Sequence, residues 1–162
     1  MAASAHQLGG SVKSRVEQRA GGTWIALSGH LNETADLTPL TKLPGPLTID
    51  LSDLDRINSI GVRMWLNFVH ACEAAGLSLT FERCSPAIVG QISMITNFMG
   101  ARSKVKSILV PYLCTACKAE DLQLLELSKG AALKPTLPCP KCQAPMVIDE
   151  LVETYTELLH KA

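Results

Sequence analysis

The sequence predicts an α/β fold, in which a mixed β-sheet is flanked by helices and followed by a small four-cysteine unit and a C-terminal amphipathic helix. An early pair of strands separated by glycines precedes helices that alternate with strands, a pattern typical of a mixed sheet. Two Cys-x-x-Cys pairs then occur close together, and the chain closes on an apolar stripe at helical spacing. With 162 residues, 47% of them hydrophobic, the chain is long enough to bury a sizeable core.

The first part of the sheet is predicted from turn signals and alternation. Residues 1–11 are small and polar and are expected to form a flexible N-terminal tail. A strand over residues 12–20 turns at Gly21-Gly22 into a second strand over residues 23–28. The short apolar run at residues 47–51 predicts a third strand.

Helices and strands alternate in the next sixty residues. Apolar residues recur at helical spacing over residues 59–75, and Gly76 ends that helix. Clean alternation predicts a strand over residues 77–83. Ser85 followed by a proline is typical of a helix start, and this helix is expected to continue to about residue 98. Residues 105–110 predict the last strand of the sheet.

The stripe of the 59–75 helix carries large apolar side chains. Trp65, Phe68 and Met64 can form a partner surface, but at helical spacing such residues more often lie in the core. We expect a core role, with one of the three exposed beside Ser59. Cys72 and Cys84 are expected to be reduced core cysteines.

Four of the six cysteines have the spacing of a metal site. Cys114-Thr-Ala-Cys117 and Cys139-Pro-Lys-Cys142 are separated by 21 residues. Two residues between thiolates allow one tight turn to direct both sulfurs at one ion, and two such turns complete a closed tetrahedral shell. Residues 111–148 therefore predict a zinc ribbon with one structural Zn²⁺ per chain. The alternatives are two disulfides, a redox-active dithiol or an iron–sulfur cluster.

The C-terminal residues 149–162 predict an amphipathic helix. Its apolar stripe consists of residues at i, i+4, i+7 and i+8, which are Leu151, Tyr155, Leu158 and Leu159. We expect this stripe to dock on the ribbon or on the main domain rather than to await a partner.

Charge and composition argue against several classes of protein. The 15 Lys and Arg residues balance 15 Asp and Glu residues. Residues 111–162 carry five basic and seven acidic side chains, so the ribbon has no basic stripe for nucleic acid. We expect a cytoplasmic protein without a membrane partner, because no apolar run reaches the roughly 18 residues of a membrane span and the N-terminus does not resemble a signal peptide. Common enzyme motifs are absent, so no enzymatic activity is expected.

Two motifs give a family resemblance. The first lies at the end of the second predicted strand and reads Leu27-Ser28-Gly29-His30-Leu31-Asn32. The second is a strand and loop that run into a helix and reads Asp50-Leu51-Ser52-Asp53-Leu54-Asp55-Arg56-Ile57-Asn58-Ser59-Ile60-Gly61. Together with the order of elements, they resemble the STAS domain of anti-anti-sigma factors, also called anti-sigma factor antagonists. The resemblance covers about residues 12–110 and implies the STAS mixed sheet.

The resemblance implies a phosphorylation-controlled protein-binding module in bacterial signal transduction. In this family, a serine at the start of the helix after the third strand is phosphorylated by the partner, a histidine-kinase-like serine kinase that is also the anti-sigma factor. Ser59 matches that serine. The bare domain binds its partner and the phosphorylated domain releases it. The residues expected to bind the partner are His30, Asn32, Asn58, Ser59, Ile60 and Arg63.

Three positions depart from the family pattern. Asn58 and Asn32 stand where aspartate is usual, and Ile60 replaces a second serine or threonine. Asn58 or Ser59 is well suited to cap the helix, whose free N–H groups favour a phosphate. The two asparagines reduce the negative charge that such a phosphate meets. Two alternatives remain open: a phosphorylation-independent scaffold of a signalling complex, in which Ser59 only caps the helix, and the less favoured binding of nucleic acid through the ribbon.

Overall fold

The structure, a computed structural model, describes residues 3–128 and 130–161. Within those ranges the chain forms ten strands, three α-helices and one short 3-10 helix over Thr38–Lys42. The strands and helices, in chain order, are β1 Ala3–Gln7, β2 Val12–Arg19, β3 Gly22–Leu31, β4 Leu47–Ile57, α1 Ser59–Ala74, β5 Leu79–Glu82, α2 Pro86–Met94, β6 Lys104–Val105, β7 Ser107–Cys114, β8 Glu120–Glu126, β9 Thr136–Pro138, β10 Pro145–Ile148 and α3 Val152–Lys161.

The first six strands form one mixed sheet in the order β1-β2-β3-β4-β5-β6. Strands β1 to β3 are antiparallel neighbours, whereas β3 to β6 are parallel to one another. The expected mixed α/β sheet is therefore confirmed. The hairpin turn consists of Ala20 and Gly21, since Arg19 pairs with Gly22, and it lies one residue before the predicted position.

The predicted N-terminal tail is wrong for residues 3–11, and residues 1 and 2 lie outside the described part of the chain. Ala3–Gln7 forms β1, which pairs with β2 along its whole length. Leu8 is buried, and its backbone N–H donates to the Val12 carbonyl at 2.9 Å. Backbone pairing therefore orders a segment whose small polar side chains give no strand signal.

Helices α1 and α2 cover one face of this sheet and enclose the core. Trp65 lies 5.5–5.8 Å, between ring centroids, from Phe68, Phe81 and Phe98, and its Nε1 donates to the Phe98 carbonyl at 2.8 Å. Met64 is half-buried. The stripe of α1 is thus core, as expected, but none of Trp65, Phe68 and Met64 is exposed, so the expected exposure of one of them beside Ser59 is wrong. Burying this aromatic group contributes on the order of several kcal/mol to the free energy of unfolding.

The boundary between the two sheets differs from the prediction. Residues 105–110 were expected to end the first sheet, but β6 ends it and β7 belongs to the second sheet, where it continues through Pro111 to Cys114. The Pro111 carbonyl accepts the Asp149 N–H at 2.9 Å. A residue in an antiparallel strand directs its N–H and C=O to the same side, so the missing N–H of Pro111 removes no hydrogen bond to β8.

The second sheet is antiparallel, with the order β8-β7-β10-β9. Helix α3 packs against α2 and buries Tyr155 and Leu158, so the expected docking of the C-terminal helix is confirmed for these residues. Leu151 precedes the helix and is 71% exposed, contrary to its place in the predicted stripe. Among residues 3–128 and 130–161, no helix has the length and apolar character needed to cross a lipid bilayer.

Candidate metal site and candidate binding face

The four cysteines predicted as ligands converge on one point. The Sγ atoms of Cys114, Cys117, Cys139 and Cys142 all lie within 4.8 Å of one another. Cys114 Sγ is 3.5 Å from Cys142 Sγ, and Cys117 Sγ is 3.6 Å from Cys139 Sγ. A disulfide would need about 2.05 Å, whereas four sulfurs around one tetrahedral ion at 2.3 Å stand about 3.8 Å apart. The geometry therefore fits one metal ion and does not fit two disulfides.

Two equivalent turns present these sulfurs. The Cys114 N–H donates to the Ala119 carbonyl at 2.8 Å, and the Cys139 N–H donates to the Ala144 carbonyl at 2.9 Å. The residue after the second cysteine of each pair has a left-handed backbone, with φ of 61° at Lys118 and 64° at Gln143. These residues reverse the chain so that each turn leads into the next strand. The pattern Cys-x-x-Cys-x-Ala, repeated in the sequence, is the signal for this equivalence.

Backbone N–H groups favour the thiolate form of two of these cysteines. The Cys117 N–H lies 3.4 Å from Cys114 Sγ, and the Lys141 N–H lies 3.4 Å from Cys139 Sγ. The hydrogen bond from the Cys117 backbone lowers the pKa of Cys114 to about 6. The backbone N–H of Cys142 is the main cause of the lowered pKa of Cys139. Thiolate is the form that binds metal, so Cys114 and Cys139 are the two ligands that these backbone groups prepare for an ion.

The remaining two cysteines behave differently. Cys72 and Cys84 are free and buried, as expected for core cysteines. Burial raises the pKa of Cys72 to about 11 and that of Cys84 to about 12. Both stay protonated near neutral pH, and neither belongs to the group of four converging sulfurs, so neither is a candidate metal ligand.

The residues predicted to bind a partner lie where β3 and β4 end and α1 begins. Asn58 caps α1, because its Oδ1 accepts the Gly61 N–H at 2.8 Å. Ser59 is the first residue of the helix, and its side chain is exposed. Ile60 and Arg63 are also exposed on the first turns. The helix start therefore presents Ser59 to solvent beside backbone N–H groups that lack helical partners.

Gly61 determines how closely α1 approaches β3. A Cβ at this position would stand 2.0 Å from the Leu31 carbonyl oxygen. The same carbonyl accepts the Asn58 N–H at 3.1 Å. Only glycine permits this contact, which fixes the start of α1 against the end of β3.

A groove runs between the ends of β3 and β4 and the start of α2. It is lined by Leu31, Ile57 and the polar or small residues His30, Asn32, Asp55, Arg56, Asn58, Ala87 and Gln91. His30 Nδ1 is 3.1 Å from Asp55 Oδ1. Three of the predicted binding residues thus line this groove, while Ser59, Ile60 and Arg63 continue along α1. Ala87 and Gln91 were not predicted, although the Ser85 cap signal places their helix after a parallel strand.

Asn32 shapes its loop from within. Its Oδ1 accepts from the Thr34 N–H at 3.0 Å and from the Thr34 hydroxyl at 2.7 Å, and it lies 3.0 Å from the Ser11 hydroxyl. This side chain therefore holds the loop in an Asx-type turn.

Glu33 changes the charge expected beside Ser59. The Asn58 Nδ2 donates to Glu33 Oε2 at 3.0 Å. Hydrogen bonds from the backbone N–H of Glu33 and from Asn58 hold the pKa of this carboxyl below its usual value. A carboxylate therefore lies next to the helix start although Asn58 is neutral, which corrects the expectation of reduced negative charge there.

The comparisons with protein families and with curated proteins leave the family of this chain open. No protein-family model matches the sequence, and no curated protein matches it. The fold, the four-cysteine cluster and the start of α1 are therefore the observations from which a function must be inferred.

Proposed function

We propose that this chain is a phosphorylation-controlled binding module that antagonises an anti-sigma factor in the bacterial cytoplasm. Residues 12–110 would act as a STAS domain, and the partner would be an anti-sigma factor or a histidine-kinase-like serine kinase. The observation that carries the proposal is the position of Ser59. Its exposed side chain stands at the first residue of α1, directly after the Asn58 cap and next to the groove at the ends of β3 and β4.

Phosphorylation at this position would change the binding face strongly. A phosphate adds about −1.5 to −2 charges at neutral pH. The N-terminal dipole of α1 and Arg63, four residues further along the helix, would attract it. Glu33, which is hydrogen-bonded to Asn58, would repel it. The bare serine therefore suits a docked partner, and the charged form suits release.

We further propose that the four-cysteine cluster holds one structural Zn²⁺. Four thiolates in closed tetrahedral geometry are typical of such zinc, and they leave no open position for a substrate. Cys114, Cys117, Cys139 and Cys142 would hold the ion, which would join the β7–β8 turn to the β9–β10 turn.

Affinity capture from the native organism tests the switch. Mass spectrometry should identify a kinase-like partner and partial phosphorylation of the peptide that contains Ser59. Ser59→Ala should keep the partner, and Ser59→Asp should weaken capture by about tenfold or more. Ser78→Asp is the matched control, because Ser78 is exposed in a loop away from the groove.

One observation favours a second candidate, the phosphorylation-independent scaffold. The carboxylate of Glu33 already places negative charge at the start of α1, so an added phosphate changes a site that is not neutral. Equal capture by Ser59→Ala and Ser59→Asp, with Ser59 never modified, would select the scaffold. If the switch operates, Ser59→Ala should still capture more partner than Ser59→Asp when each is combined with Glu33→Gln.

A further inference from the structure

One face of the second sheet carries exposed apolar side chains. Residues directly opposite one another in an antiparallel pair share a face. Leu122 pairs with Pro111, Leu124 with Leu109, and Leu113 with Val147. Helix α3 packs against α2. We call the residues that remain accessible the outer ribbon face: Pro111, Leu113, Leu122, Leu124 and Val147.

The exposure of this face is large for apolar side chains. Leu122 is 49% exposed, Leu124 is 51% exposed and Val147 is 39% exposed. They lie on β8 and β10 of one sheet, with the half-buried Pro111 and Leu113 of β7 between them. A contiguous group of exposed apolar side chains often marks an interaction site, whereas single apolar residues scattered over a surface are normal.

Strand β8 borders the face and is itself an edge. Within the described residues it pairs only with β7, so its other side offers backbone N–H and C=O groups to a further strand. An extended partner segment can add to such an edge, with main-chain hydrogen bonds supplying affinity and alternate side chains supplying specificity.

Charge indicates what kind of strand fits. On the outer side of β8, Glu120 and Glu126 flank Leu122 and Leu124, and Asp121 adds a third carboxylate to a strand that carries no basic residue. In the part of the chain that the structure describes, none of these carboxylates forms an ion pair. A strand with basic side chains would supply the missing cations.

A second copy of this chain is a poor occupant. Antiparallel pairing of β8 with itself about Gln123 would set Glu120 opposite Glu126 twice. Like charges directly opposite one another destabilise a sheet. If the register of this pairing shifts by two residues, Leu122 lies opposite Glu126, which places an apolar side chain against a carboxylate. The acids thus act against self-pairing, as charges on exposed edge strands commonly do.

We propose that the outer ribbon face and the β8 edge form a docking surface for a partner protein, through an extended segment that alternates apolar and basic residues. Leu122 and Leu124 contact its apolar side chains, and Glu120 and Glu126 pair with its cations. This surface does not involve Ser59, so it stands independently of the proposed switch.

Two synthetic peptides of equal length test the proposal on the full metal-loaded chain. One alternates valine with lysine and the other alternates valine with glutamate. Fluorescence anisotropy should show binding of the lysine peptide that weakens with added salt, and the glutamate peptide should bind at least tenfold more weakly. Amide hydrogen exchange should slow along β8 when the lysine peptide is present. Equal binding of the two peptides, or no added protection along β8, would overturn the proposal.

Matched variants locate the site. Leu122→Thr combined with Leu124→Thr keeps strand propensity and should weaken the lysine peptide about tenfold or more. Val152→Thr, at an exposed apolar residue of α3 outside the face, should leave binding unchanged. Unchanged binding by the double variant would refute the proposal. Dimerisation in sedimentation experiments that the double variant abolishes would identify a second copy as the occupant and would also refute it.

Discussion

The side-chain amide of Asn58 caps α1 through its oxygen and binds the carboxylate of Glu33 through its nitrogen. The two hydrogen bonds measure 2.8 Å to the Gly61 N–H and 3.0 Å to Glu33 Oε2. A neutral residue thereby brings an anion from the β3–β4 connection to the positive end of the helix dipole. An aspartate at position 58 could accept the first of these hydrogen bonds but could not donate the second.

Glu33→Gln should lower stability near neutral pH but not in acid. The folded-state pKa of Glu33 is lowered, so its carboxylate stabilises the fold above the ordinary value of 4.5. That contribution is lost as the pH falls through the folded-state pKa. Urea unfolding near pH 7 and at a pH acidic enough to protonate Glu33 in the folded protein measures the effect. Glu157→Gln, at an exposed residue of α3, is the control, and a difference between Glu33→Gln and wild type that survives at this acidic pH would contradict the prediction.

Asn58→Ala should destabilise the protein by about 1 kcal/mol, because the Gly61 N–H loses its cap. Asn67→Ala is the matched control, since Asn67 is exposed within the same helix. Alanine has the higher helix propensity, so that variant should be neutral or slightly stabilised. Chemical denaturation measures both. Equal losses of unfolding free energy from the two substitutions would show that the Asn58 cap does not stabilise the helix.

Gly61→Ala should destabilise by several kcal/mol or displace the start of α1. The added methyl group would stand 2.0 Å from the Leu31 carbonyl oxygen. The backbone of β3 or of α1 would have to move to relieve this clash. Gly90→Ala in α2 meets nothing within 4 Å and should stabilise by up to about 1 kcal/mol. Relative to wild type, the melting temperature should therefore fall for Gly61→Ala and rise for Gly90→Ala. A stable Gly61→Ala variant with unchanged amide spectra around Leu31 would disprove the close approach.

Metal analysis should find about one zinc ion per chain, and chelation should release it. Removal should speed amide exchange in the turns at Cys114–Cys117 and Cys139–Cys142, because the hydrogen bonds from Thr115 to the Pro145 carbonyl hold the two turns together less strongly than four metal–sulfur bonds would. Cys139→Ser should abolish stoichiometric binding, whereas Cys72→Ala should lower stability and retain the metal. Retention of the ion by Cys139→Ser would place the site elsewhere.

Much of the first sheet could be predicted because burial of one face leaves a regular pattern in the sequence. Strand β1 was missed for the opposite reason: all five of its residues are exposed, and only pairing with β2 holds it. Strand β7 was divided at Pro111, since a proline usually ends a strand. The strand continues because the Pro111 carbonyl accepts the Asp149 N–H, and Asp149 lies far from Pro111 along the chain.

In the candidate sites too, features set by local sequence could be predicted, and a contact between distant residues could not. The metal ligands follow from local spacing, because two residues between cysteines dictate a turn. The Asn58 cap follows from the residue type before a helical stripe. The contact between Glu33 and Asn58 joins residues 25 positions apart, and no local pattern announces it. Contacts of this kind arise from the folding of β3 against α1 and can be read only from the structure.

Strand β7 leaves no hinge between the two sheets. Cys84, two residues after β5, forms an isolated β-bridge with Ile108, and the Leu109 N–H donates to the Cys84 carbonyl at 2.9 Å. The same strand carries Cys114 at its other end. A polypeptide truncated after Val110 would end halfway along β7 and expose Ile108 and Val110, which are buried in the full chain. The two sheets should consequently resist separation by limited proteolysis, and a shortened protein for biophysical work would have to stop before Ser107 or retain the whole C-terminal region.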